Sequence, residues 1–183
     1  MHAITQTIST TQRVLLFIPI FLLSIACSAF KTATKSHSSK KKDAVEALQL
    51  RQDVAGWAQN YVGTKYHYAG TSPRTGFDCS GFTSYIMKEF DIKVSSSSST
   101  QSTQGVKLPI KEAKTGDLIF FSHGGHSKSI QHVAIVVSND ENGLFVCHAT
   151  NTRGVVVENV YESDYWKKRL LFARDVITPN SLK

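Results

Sequence analysis

Phe77-Asp78-Cys79-Ser80-Gly81-Phe82 is the stretch whose reading decides the fold. A Gly-, Pro- and Ser-rich loop, Gly70 to Gly76, runs into it. Behind it Phe82, Tyr85, Ile86 and Phe90 recur at i, i+3, i+4 and i+8, which predicts a helix from Ser80 to near Phe90. Asp78 or Ser80 can cap that helix, because a short side-chain oxygen accepts from the open N–H groups of the first turn. Cys79 is therefore expected at a helix N-terminus, where unpaired N–H groups and the positive end of the macrodipole favour a thiolate. The same N–H groups can hold the oxyanion of a tetrahedral intermediate. A lone Cys in a soluble domain is more often a small buried hydrophobe. The loop before Cys79, its polar flanks and two distant histidines favour a candidate nucleophile, because a reactive Cys needs a His near in space rather than in sequence.

The histidines lie in the second half of the chain. After the Thr115-Gly116 turn only strand signals follow, at about 117–122, 132–138, 143–149, 154–160 and 170–176, with Asn142-Gly143 as a hairpin signal. Helices first and strands after predict an α+β fold with an antiparallel sheet. His132 opens one strand and His148 closes the next, so antiparallel pairing brings both to one end of the sheet. If the Cys79 helix packs there, one imidazole takes the thiol proton and the other orients the first. A zinc reading would use Cys79, His132 and His148, with His123 and His126 nearby. No pair shows a tight zinc spacing, so neither metal nor cofactor is expected, and His123 and His126 are read as solvated loop residues at a cleft edge. Cys147 alternates away from His148 and is read as core.

The 183-residue chain is 41% hydrophobic and suits one domain of ordinary size. Much of its formal charge of +7 sits in the run Lys35 to Lys42. That run lacks interleaved aromatics, which argues for a solvated tether and against a nucleic-acid face. Residues 1–27 read as a signal segment: Arg13 precedes an apolar run too short for a comfortable span and interrupted by Pro19. Ala26-Cys27 at its end resembles a bacterial lipoprotein cleavage site, which would make Cys27 the lipidated residue and the membrane a partner through that anchor. Residues 28–42 read as a disordered basic linker, and 43–178 as the catalytic domain. Asp43 is expected to cap a helix to about Val62, with Ala47, Leu50, Val54, Ala58 and Tyr61 on one stripe. The Ser95 to Ser99 run is expected to be loop.

From about residue 50 to 176 the chain resembles the NlpC-type cell-wall peptidases, papain-like cysteine enzymes that cut peptidoglycan stem peptides. The resemblance is carried by Val62-Gly63-Thr64-Lys65-Tyr66-His67-Tyr68-Ala69-Gly70, by Gly76 to Phe82, by Gly116-Asp117-Leu118-Ile119-Phe120-Phe121, and by His132-Val133-Ala134-Ile135 and His148-Ala149. It implies a nucleophile-bearing helix packed on a five- to six-stranded antiparallel sheet. It also implies Cys79 as nucleophile, His132 as general base and His148 as the residue orienting it. Tyr66 would help the oxyanion site, and Asp78 and Ser80 would contact substrate polar groups. The family's usual bond joins γ-D-glutamate to a diamino acid. Family members often carry Gly at Ala69 and Pro-Arg where this chain has Ser95-Ser96. The expectation is a monomeric, envelope-anchored cysteine endopeptidase, an outer-membrane lipoprotein facing the periplasm without a separate wall-binding domain. The alternatives are a non-catalytic wall-binding module and a thiol amidase or acyltransferase on the same fold.

Overall fold

The structure, a computed structural model, describes residues 41–124 and 127–178. The signal segment, Cys27, most of the linker, and His126 lie outside the described residues. The chain divides into two units, 1–45 and 46–183, and the fold below is that of the second.

Helix α1 covers 41–59. Lys41 and Lys42 are already helical, so Asp43 is not its N-cap. The apolar stripe falls as its spacing dictates: Val54 and Ala58 are buried, and Leu50 and Tyr61 pack against the same core. Arg51 shares that buried side, which periodicity did not foretell. Its guanidinium reaches Asp117 at 2.5 Å and Asp175 at 2.6 Å.

Two short strands follow, β1 (Thr71–Ser72) and β2 (Gly76–Phe77), paired antiparallel. Helix α2 (Cys79–Lys88) starts one residue earlier than its apolar spacing suggests. Asp78 is the cap, its Oδ1 accepting from Gly81 N at 2.6 Å. Phe82, Ile86 and Met87 are fully buried, each contributing about 1.5–3 kcal/mol by leaving water. Gly81 is required by packing: a Cβ there would run into the carbonyl oxygen of Gly70.

The serine run is not all loop. Its end forms a one-turn helix, α3 (Ser98–Gln101), because Gln101 turns inward. The fully buried Gln101 accepts from Thr83 Oγ1 at 2.9 Å and donates to Ser80 O at 3.1 Å. This amide, not an apolar side chain, ties the segment to α2.

Six strands then form one antiparallel sheet: β3 (Val106–Leu108), β4 (Leu118–Ser122), β5 (Ile130–Asp140), β6 (Gly143–Thr150), β7 (Gly154–Asn159) and β8 (Leu170–Asp175). Their order is β3-β8-β4-β5-β6-β7. The five expected strands are present, and β3 adds a sixth. The β5–β6 turn is Glu141-Asn142, with Gly143 pairing Asp140 at the start of β6. Leu118, Phe120, Val133, Ile135 and Cys147 enter one core with α1 and α2. Ile119, Phe121, Ala134, Val136 and Val146 enter a second core on the other face. A period of two therefore feeds both cores, which is why β4 reads as an unbroken apolar run. Between β7 and β8 lies one helical turn, α4 (Asp164–Lys167), where only strand signals were read; Ser163 caps it through Trp166 N. At four residues it is too short to give a periodic signal.

Candidate active site

Cys79 is the first residue of α2 and half-buried. Its side chain lines one cleft with His132. Burial pushes the thiol up to about 11, outweighing the nearby backbone N–H groups that favour the thiolate. Helix-terminal N–H groups favour the thiolate, as the sequence reading has it, but desolvation of the charged sulfur works against them. The N–H groups of Cys79 and Ser80 have no carbonyl partner among the described residues.

His132 and His148 share one face of the sheet, β5 and β6 being neighbours. His132 Nε2 and His148 Nδ1 are 2.9 Å apart. His148 is fully buried, and its Nε2 lies 2.7 Å from Glu158 Oε1 on β7. The carboxylate fixes every proton in this row. Glu158 can only accept, so His148 Nε2 carries hydrogen and His148 Nδ1 is an acceptor. His132 Nε2–H must then donate to it, which leaves His132 Nδ1 with a lone pair. Burial, then the neighbouring His148, lowers His132 well below its ordinary range; burial lowers His148 too, although Glu158 opposes it. The cleft thus holds a thiol and a neutral imidazole whose free nitrogen can act as a base.

Glu158 is the residue that sequence reasoning missed. The hydrogen bond from His148 first, and Arg153 further, hold its carboxyl down at about 2. Its Oε1 also accepts from Arg153 Nη2 at 2.5 Å and Trp166 Nε1 at 3.0 Å. Trp166 stacks on His132, with centroids 4.7 Å apart and planes at 28°. Glu158 was legible as a lone acid on the His148 face of β7, since Val156 pairs His148 and Glu158 is two residues on. Trp166 gave no such signal, because α4 was not foreseen.

A cleft of ≈ 140 Å³ is lined by Cys79, His132, Tyr66, Trp166 and Arg169. Burial, then Cys79 and Asp78, raises the Tyr66 phenol, so it stays a neutral donor. Asp78 and Ser80 do not line this cleft: Ser80 is buried and donates to the capping Asp78 at 3.2 Å. His123 is exposed. Cys147 is fully buried, its sulfur 3.6 Å from Ala58 O. A larger open groove of ≈ 580 Å³, lined by Tyr85, Lys88 and Val94 among others, contains neither Cys79 nor the histidines.

A helix-borne cysteine meeting a strand histidine on an antiparallel sheet defines a papain-like α+β protein. Comparison gives the family: residues 63–175 match the model of the NlpC/P60 family, and the chain belongs to it. It is 30% identical over 178 residues to the murein DD-endopeptidase MepS/murein LD-carboxypeptidase of Escherichia coli, covering 88% of this chain and 90% of that protein. It is 28% identical over 137 residues to the γ-DL-glutamyl hydrolase of Bacillus subtilis, covering 74% of this chain and 32% of that one. A crystal structure of an NlpC/P60 family protein from Bacillus cereus superposes with a TM-score of 0.63 at 31% identity, over 70% of this chain and 40% of that chain. The chain thus spans about a third of the length of the glutamyl hydrolase.

Proposed function

We propose that this protein is a cysteine peptidase that hydrolyses amide bonds in peptidoglycan stem peptides. The observation that carries the reading is the row Glu158–His148–His132 ending in a cleft that Cys79 also lines. The names of the similar murein endopeptidase and γ-DL-glutamyl hydrolase support the substrate class.

His132 Nδ1 takes the Cys79 proton as sulfur attacks the carbonyl carbon. Because thiol and imidazole both rest neutral, proton transfer accompanies attack. The oxyanion is received by the open N–H of Cys79, with the Tyr66 phenol near. The imidazolium on His132 is stabilised through His148 by the Glu158 carboxylate and gives its proton to the leaving amine as C–N breaks. Water, deprotonated by His132, then cleaves the thioester and restores the thiol. Asp78 acts here as the helix cap that aims Cys79, and Ser80 as its support.

The bond assigned is that between γ-D-glutamate and the diamino acid. The location assigned is the bacterial envelope, with a lipid on Cys27 in the outer membrane. That second part rests on the sequence around Ala26-Cys27. Mass analysis of defined muropeptides digested with the protein tests activity and bond together. Cleavage at the glutamyl bond by wild type and none by Cys79→Ala is expected. Intact muropeptides, or equal products from Cys79→Ala, refute it. Loss of a clickable palmitate label in Cys27→Ala tests the anchor.

A further inference from the structure

Arg169 has a feature the proposed chemistry leaves unused. Among the described residues, its Nε is the sole buried side-chain nitrogen or oxygen without a hydrogen-bond partner. The group is nonetheless firmly held. Nη1 donates to Tyr165 O at 2.7 Å, and Cζ lies 3.7 Å from the Tyr165 ring centroid. Gly124 closes over it, where an added Cβ would stand 2.9 Å from Nη2 and 3.1 Å from Nε. The main chain is fixed by Ser122 N, which donates to Arg169 O at 2.8 Å. A guanidinium presents two forks to a carboxylate. The fork that uses Nη1 is spent on Tyr165. The lateral fork, Nε with Nη2, carries no hydrogen bond, and Gly124 puts no side chain across it.

Arg169 lines the same cleft as Cys79 and His132, and among the described residues no acid lines that cleft. Its main chain is tied to the end of β4 through Ser122. A buried donor with no acceptor is costly to keep, and one on a residue that lines a cleft with a thiol and an imidazole calls for an acceptor on the ligand.

We propose that the Nε–Nη2 fork of Arg169 receives a carboxylate of an acidic peptide substrate in the cleft that Cys79 lines, and so selects bonds that carry a free carboxylate beside them. This rests on the reading of the cleft as a peptidase site. Matching the fork needs two oxygens in one plane; a carboxamide supplies one oxygen and an opposing N–H. Amidation of the substrate therefore both removes charge and sets donor against donor.

Binding to the full-length Cys79→Ala protein tests this apart from turnover. Calorimetry compares a γ-D-glutamyl–diaminopimelate peptide having free carboxylates with the same peptide amidated at each carboxylate in turn. One amidation is expected to weaken binding about tenfold or more. Adding Arg169→Gln should bring that ratio to within about twofold of one, and Arg169→Lys, which keeps charge but not the fork, should also reduce it. The proposal is overturned if no peptide binds, if none of the amidations matters, or if the ratio survives both substitutions. Carboxylate-selective binding while wild type leaves the same peptides uncut would support this proposal and defeat the peptidase reading.

Discussion

Replacing Glu158 with Gln keeps shape and removes the charge that sets the proton positions of both histidines. In the native site Glu158 Oε1 accepts from His148 Nε2 at 2.7 Å, and His148 passes that constraint to His132 across 2.9 Å. A Gln amide presents either an oxygen or an NH₂ to His148. The oxygen preserves the tautomers without the negative charge; the NH₂ reverses the row and puts hydrogen on His132 Nδ1, where a base is needed. The lost interaction is a hydrogen bond to a charged acceptor that develops its full value only when His132 is protonated. At about 1.5–3 kcal/mol for such a bond, kcat falls about tenfold to a hundredfold. KM should change little, since Glu158 does not line the cleft that holds Cys79. The pH profile separates this from mere loosening. Glu158 raises His148 toward protonation, so without it the acid limb of kcat/KM moves to lower pH. The assay is stopped-flow or discontinuous hydrolysis of a stem peptide over pH 4 to 9, alongside thermal melts. Wild-type kcat with an unmoved acid limb in a folded Glu158→Gln protein would refute the tautomer argument.

Four further outcomes follow from the structure. Ala69 sits at φ 55, so Ala69→Gly should stabilise by about 1 kcal/mol in urea titration by relieving the left-handed strain; a loss of stability would contradict it. Gly81→Ala drives a Cβ into the Gly70 carbonyl and should cost more than about 2 kcal/mol, with α2 disordered at its first turn by hydrogen exchange. Arg51→Ala leaves Asp117 buried and unpaired, which should cost about 3–5 kcal/mol in denaturant, whereas Asp117→Asn with Arg51→Met together should cost less than the sum. The folded-state pKa of His132 lies below its unfolded value, so the unfolded chain binds more protons below the ordinary histidine range. Stability should be complete above about pH 6.5 and fall as pH drops toward the folded-state pKa, and His132→Gln should flatten that part of the curve.

The sheet was legible because each strand satisfies two cores by alternation, and because turn residues punctuate the strands: Phe120 and Phe121 point to opposite faces, yet both are fully buried. The Cys79 helix was legible from Phe82 and Ile86. Segments held by single polar contacts were not. Gln101 makes α3 part of the core through an amide, and no periodicity announces that. Trp166 stands on one turn of helix and still governs the His132 ring. The positions of the two histidines followed from strand pairing, but the direction of the protons between them depended on Glu158, ten residues beyond His148 and brought to its face only after β6 and β7 pair. Burial of Cys79 opposes the thiolate that the helix start favours, and burial is a property of the assembled fold and not of the helix start. The positive φ of Ala69 is a backbone demand that Gly would meet without strain.

The central claim is that the sulfur at the start of α2 attacks the substrate with His132 as its base. Intact-protein mass spectrometry on samples quenched in acid during turnover of a stem peptide tests it most directly, since a thioester survives acid. The account predicts an added acyl mass that maps to Cys79 and is absent from His132→Ala. Peptide cleavage by Cys79→Ala at the wild-type rate, or an acyl mass mapping elsewhere in the chain, would contradict it.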